Sequence, residues 1–143
     1  MKINIQYNNH LIENLVNIET HETNKELINN FVNFFETKVT LLDIRMNKSI
    51  RTNINNIESI ETFTHLSKVI LIDKSQYYIK GRLKDFENFN QYKIVRINNN
   101  QMFNLYHLYS ISVDKGSRLI IQSSSQNEFI VSRFYAKKIK EML

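Results

Sequence analysis

IESIETFTHLSKVILIDKSQYYI, residues 57–79, contains three short runs, Ile57–Phe63, Lys68–Ile72 and Gln76–Ile79, separated by polar turns at Thr64–Ser67 and Asp73–Ser75. Apolar and polar positions alternate in these runs with a period of two, and such short connections leave no room for a crossover helix. An antiparallel meander is predicted, not βαβ units. Upstream, Val39–Met46 and Ser49–Asn53 repeat the pattern. Downstream it returns in Tyr92–Ile97, Gln101–Asn104, Leu108–Val113, Arg118–Gln122 and Glu128–Val131, with Asp114-Lys115-Gly116 as a hairpin turn. Between the two blocks, Leu83, Phe86 and Phe89 recur at spacing three, which predicts a short helix over Arg82–Phe89. Ser132 is a good N-cap for a last helix with Tyr135, Ile139 and Met142 on one side. The class expected is mostly β (α+β), with helices at the edges.

The first 37 residues differ. Lys2–Tyr7 and Leu15–Thr20 alternate like two short strands, and Thr23-Asn24-Lys25-Glu26 fits a capping box at a helix start. The helix that follows places Leu27, Ile28, Phe31, Val32, Phe34 and Phe35 in one apolar stripe, expected to pack on a core. Residues 1–37 are thus predicted as a β-β-α extension docked on a domain spanning 38–143.

A chain of 143 residues with 42% hydrophobic and 23% charged residues is one packed domain with a small appended piece, not a disordered chain. Its longest apolar run, Val69–Ile72, is far short of a membrane span, and no signal-peptide core is present, so the expected location is cytoplasmic. The absence of cysteine removes disulfides, thiolate metal sites and cysteine nucleophiles. Asn and Ile occur 20 times each, interleaved and not in tracts. With two glycines and no proline, turns must rest on Asn, Asp, Ser and Lys.

Charge is unevenly placed. Residues 1–50 carry five Lys/Arg against six Asp/Glu, whereas residues 51–143 carry fourteen against eight. The basic excess in the second block favours a polyanionic partner, since each cation set on a phosphate releases condensed counterion.

Catalytic chemistry has no visible carrier. His10, His21, His65 and His107 lie far apart without metal-ligand spacing, so no metal site is expected. Glu58 and Glu61, three apart in a strand, point to opposite faces and make no acid/base couple. Phosphate-cradling glycine motifs are missing, no cofactor is implied, and the chain is not expected to be an enzyme. Two features remain. Arg133 stands at the first position of the last helix, where the macrodipole disfavours a cation by roughly 0.3–1 kcal/mol; it either turns to solvent or serves a function. Asn98-Asn99-Asn100 is either an ordinary turn or an amide-rich loop able to reach a major groove.

From Lys38 onward the order of features resembles the LytTR family of bacterial DNA-binding domains. The likeness rests on Asn56-Ile57-Glu58-Ser59-Ile60-Glu61, on Tyr78–Phe86, on Val95-Arg96-Ile97 followed by Asn104, Leu108 and Ser110-Ile111, and on Val131-Ser132-Arg133-x-Tyr135. Residues 1–37 look like the short extension of stand-alone members that lack a receiver domain. The resemblance implies an elongated stack of small antiparallel sheets whose loops, and not a recognition helix, enter the major groove of duplex DNA, in a transcriptional regulator acting as a homodimer on repeated half-sites. By the same resemblance, base-reading residues would be Asn99, Arg133 and either Ser67 or the nearby His65, with Asn98 as a further polar reader. Lys68, Lys80, Arg82, Lys93 and Arg96 would be phosphate contacts, although Arg96 could instead bond loop carbonyls. Asn98 and Asn100 replace the His and Ser usual in the family, and Val95 replaces a Phe. That keeps polar reading but loses the pH sensitivity of an imidazole. The rival expectation is an interaction or sensor module that no longer reads DNA and docks a partner, a membrane protein among the candidates, through its N-terminal helix.

Overall fold

The computed structural model describes residues 2–143. The quoted stretch folds as expected: β3 (Ile57–Phe63), β4 (Leu66–Leu71) and β5 (Gln76–Lys80) pair in antiparallel succession. Asp73 shapes the β4–β5 turn by accepting bonds from the Ser75 hydroxyl and backbone amide, and these bonds hold its carboxyl below the usual carboxylate range.

The sheet extends beyond a simple meander. The hairpin of β1 (Lys38–Asp43) and β2 (Lys48–Asn53) joins the β5 edge through Leu42 opposite Tyr78, and the hairpin of β6 (Ile94–Asn98) and β7 (Gln101–Asn104) joins β3. The order is β2-β1-β5-β4-β3-β7-β6, seven strands in one antiparallel sheet. A second sheet of three strands contains β8 (Leu108–Val113), β9 (Leu119–Ser123) and β10 (Glu128–Val131).

Two cores follow from the side-chain period of two. On one face of the large sheet, Ile60, Val69, Ile94 and Met102 pack under a 3-10 helix, Leu83–Tyr92, through Leu83, Phe86 and Phe89. On the other, Val95, Ile97 and Phe103 meet Ile121, Phe129 and Val131 of the small sheet and Ala136 and Ile139 of α2 (Arg133–Met142). β6 and β7 are therefore buried on both sides. Gly81 sits at the step from β5 into the 3-10 helix with φ +122°, and a Cβ there would lie 3.1 Å from the Phe86 ring. The Arg82 amide then donates to Asp85 Oδ2 at 2.8 Å and starts the helix.

The N-terminal expectation is overturned. Residues 2–7 and 15–20 form no strands, and Ile3, Ile5, Val16 and Ile18 are exposed. Two short alternating runs with neither a third strand nor a core beneath them gain too little to offset the entropy of ordering. The capping box does not form either: His21 Nδ1 accepts from the Thr23 amide and caps a 3-10 turn, Glu22–Asn24, while α1 (Lys25–Glu36) starts at Asn24 without a side-chain cap. No residue of α1 is buried. The helix touches the rest of the chain through Phe34, edge-on to Tyr106 at 4.8 Å, and through Asn53, whose amide donates to the Phe35 carbonyl. Its apolar stripe does not fill a core.

Candidate nucleic-acid interface

Three connections converge at one end of the large sheet. The first is the two-residue β3–β4 turn, Thr64-His65, with Thr64 in the left-handed region at φ 52°. The second is the β6–β7 turn, lying alongside it because the Thr62 amide donates to Asn100 O at 2.9 Å. The third is the β10–α2 junction, clamped to the end of β6 by two bonds: Ser132 N–H to Ile97 O at 2.9 Å and Asn98 Nδ2 to Ile130 O at 2.8 Å. Asn99 and Arg133 both emerge at this end, exposed, as does His65 at the tip of its turn. Ser132 occupies the N-cap, but its hydroxyl makes no cap bond; its carbonyl takes the first helical bond from Ala136 at 3.0 Å.

The turn carrying Asn99 is braced from below. Arg96 donates through Nε to Asn98 O at 2.9 Å and through Nη2 to Asn99 O at 2.8 Å. Of the two roles open to Arg96, bonding loop carbonyls is the one the structure displays. Asn98 uses both amide hydrogens, on Gln101 Oε1 and Ile130 O, and accepts from the Asn100 amide. It holds the turn in shape and has no donor left for a base.

Two grooves of opposite character flank the turn. One, of about 350 Å³, is lined by Arg82, Lys84 and Arg96 with Thr62 and Thr64, and holds no carboxylate. The other, of about 800 Å³, is lined by the 98–101 segment and Ser132 together with Glu61 and Glu128. Glu61 accepts from Gln101 Nε2 at 2.9 Å. A polyanion therefore finds attraction on one side of the turn and two carboxylates on the other.

Several expected contacts lie elsewhere. Ser67 is 0% exposed because β4 already begins at Leu66, and its hydroxyl donates to Gly81 O at 2.8 Å; it secures the β5-to-helix step and cannot touch a base. Ser67→Ala should leave DNA affinity unchanged and lower stability by about 1 kcal/mol, the cost of an unpaired carbonyl, as read by denaturant melts beside binding titrations. Lys93 ends the 3-10 helix at φ 62°, at the far end of β6, about 16 Å along the strand from the Asn99 turn. It is outside the cluster. Lys68 sits half-buried in β4 opposite Glu61 and Tyr78, while Lys80, at the end of β5 opposite Leu66, is exposed beside the turns.

Two members were missed. Lys84, on the first turn of the 3-10 helix, lines the cationic groove; its proximity to Arg82 in sequence was the available signal. Phe134, next to Arg133, is 85% exposed, and only the burial of α2's opposite side, through Ala136 and Ile139, identifies it.

Other polar groups are structural. Glu58, 0% exposed, accepts from Asn127 Nδ2 at 2.9 Å and from the Ser125 hydroxyl, tying the β9–β10 turn to β3. The His107 ring bonds Asn55 O at 2.6 Å. Among the described residues no group of His, Asp or Glu is placed to hold a metal ion, and no helix is long and apolar enough to cross a membrane.

Comparison with known proteins bears on the fold and the family. A solved structure, the LytTr DNA-binding domain of a Bacillus cereus protein described as a methyl-accepting/DNA response regulator, superposes with a TM-score of 0.66 at 18% identity, covering 75% of this chain and 96% of that one. No curated protein matches the chain. The family model of the LytTr DNA-binding domain matches residues 47–143, a span that takes in both sheets from β2 onward, all three converging connections and α2. With that match over two thirds of its length, the chain belongs to the LytTR family of DNA-binding domains.

Proposed function

We propose that the protein is a transcriptional regulator of the bacterial cytoplasm that recognises specific duplex sequences, with residues 38–143 as the DNA-binding domain and residues 1–37 as an extension. The observation that carries this is the joint exposure of Asn99 and Arg133 at one end, beside a groove holding three cations and no carboxylate. The β6–β7 turn and the start of α2 enter the major groove. Arg133 has the fork to bond guanine O6 and N7, and the Asn99 amide matches adenine N6 and N7. His65 reads from the neighbouring turn. Lys80, Arg82, Lys84 and the remaining N–H groups of Arg96 take phosphates of one strand, fixing register without specifying sequence. The domain acts as a homodimer on repeated half-sites. It needs no catalytic step, metal or cofactor.

A salt series tests the electrostatic part. With four cations on phosphates, the logarithm of the binding constant should fall against the logarithm of salt concentration with a slope of about −4. A flat response in fluorescence anisotropy would contradict the interface. It would instead favour the second reading, a module that docks a protein, membrane proteins included, through the uncovered stripe of α1, because apolar contact is insensitive to moderate salt.

A further inference from the structure

We infer that α1 is a homodimer interface, packed antiparallel on α1 of a second copy about a twofold axis that passes between the two Phe31 side chains. The proposed function includes a dimer; this inference names the surface that makes it, and does not depend on how DNA is read.

Leu27, Phe31, Val32 and Phe35 are each more than a third exposed, and Phe31 is 49% exposed. At 100° per residue, the stripe from Phe34 through Leu27, Phe31, Phe35 and Ile28 to Val32 spans an arc of about 160°. The pattern is close to a palindrome about Phe31. In an antiparallel pair Leu27 meets Phe35 of the partner subunit and the two Phe31 rings face each other, while Phe34 stays against Tyr106 of its own chain. Lys25 and Glu36, eleven residues apart, project within about 20° of one another on the same flank. Antiparallel packing sets Lys25 beside Glu36 of the partner subunit, twice by symmetry. A parallel pair would leave Lys25 and Glu36 about 16 Å apart along the axis, so only the antiparallel arrangement pairs them.

Area and charge select the occupant. A stable interface needs roughly 800 Å² from each partner. The stripe alone supplies on the order of half of that, and the exposed Ile3, Ile5, Ile12 and Val16 of the adjoining segment are available to complete it. Residues 1–37 carry two Lys against five Glu, whereas residues 38–143 carry seventeen Lys/Arg against nine Asp/Glu. An acidic helix with one lysine is repelled by DNA and by anionic lipid surfaces, which favour amphipathic helices rich in Lys and Arg. A second copy carries the same net charge, and what favours it is the pairing of Lys25 with Glu36 across the twofold axis.

The absence of native cysteine allows a direct test on the full chain without DNA. Phe31→Cys should oxidise to a covalent dimer, while Asn29→Cys, on the far side of α1, should not. By light scattering the wild type should be dimeric and Phe31→Asp monomeric, with an unchanged circular dichroism spectrum, since no α1 residue is buried in the monomer, and with a melt that no longer depends on protein concentration. Lys25→Glu and Glu36→Lys should each weaken the dimer about three- to tenfold, and combining them should restore it. The inference is overturned by a wild type that stays monomeric at concentrations on the order of 100 μM, by equal cross-linking at Asn29→Cys and Phe31→Cys, or by a double reversal that fails to recover. None of these outcomes bears on the salt slope, so the dimer surface and the DNA interface fail separately.

Discussion

Arg133→Ala should lower affinity for a cognate duplex by about 10- to 100-fold while changing affinity for a scrambled duplex by less than about threefold, because a bidentate base contact contributes roughly 1–3 kcal/mol of discrimination. Helix energetics sharpen the expectation. A cation at the first position of α2 faces the positive end of the macrodipole, so alanine there should leave the fold as stable or slightly more so. Loss of binding would then report lost recognition and not lost structure. Asn99→Ala should act in the same direction, as the backbone of its turn is held by Arg96 and Asn98 and does not need the Asn99 side chain. Lys84→Ala is the contrast. It should weaken cognate and scrambled duplexes alike and reduce the salt slope by about one. Anisotropy titrations of the three variants on both duplexes separate the roles, and an equal loss on both duplexes for Arg133→Ala would remove it from the base-reading set.

The second large effect is expected deep in the fold. Phe103→Ala should cost about 3–5 kcal/mol of stability. The ring is 0% exposed, lies 4.9 Å from the Phe129 ring, and stands on β7 opposite Val95 on one side and Ser59 on the other. With Val95 and Ile97 it forms the surface on which the small sheet sits. Because Asn99 belongs to the large sheet and Arg133 to the helix following the small one, a void at this seam should also loosen their spacing. Cognate affinity should fall even under conditions where the variant is still folded. Urea titrations measure the first effect, and Phe134→Ala, at an exposed position, should shift the midpoint by no more than about 0.5 kcal/mol in energy. A Phe103→Ala protein with wild-type stability would show that the two sheets are held together elsewhere.

How much was legible in the sequence depended on whether local pattern or distant pairing decided the outcome. β3, β4 and β5, the buried side of the 3-10 helix through Leu83, Phe86 and Phe89, and the Ile139 side of α2 followed from periodicity, because in each the alternation or spacing matched a real core. Residues 2–20 alternate just as well, but a strand exists only when another strand accepts its hydrogen bonds, and none is beside them. The pairing of β1 with β5 joins segments more than thirty residues apart, which no local pattern encodes.

At the site, errors of one or two residues carried large consequences. Placing the start of β4 at Lys68 instead of Leu66 put Ser67 on an exposed turn, whereas the true register buries it. The 3-10 helix runs to Tyr92, three residues beyond the expected end, so Lys93 closes that helix at the far end of β6. Asn98 was expected to read bases and Arg96 to contact phosphate or bond loop carbonyls, but the hydrogen bonds of both side chains face inward, and side-chain direction is not written in residue type. Arg133 drew attention for a physical reason, standing where the helix dipole argues against a cation, and it is exposed at the start of α2.

Selection of bound duplexes from a random pool tests the central claim most directly, because recognition through Asn99, Arg133 and His65 requires particular base edges to be preferred. The expected result is recovery of a short motif, repeated at fixed spacing, that Arg133→Ala protein enriches less strongly or with one position relaxed. A pool that emerges as random as it entered, while the protein still binds DNA, would contradict it.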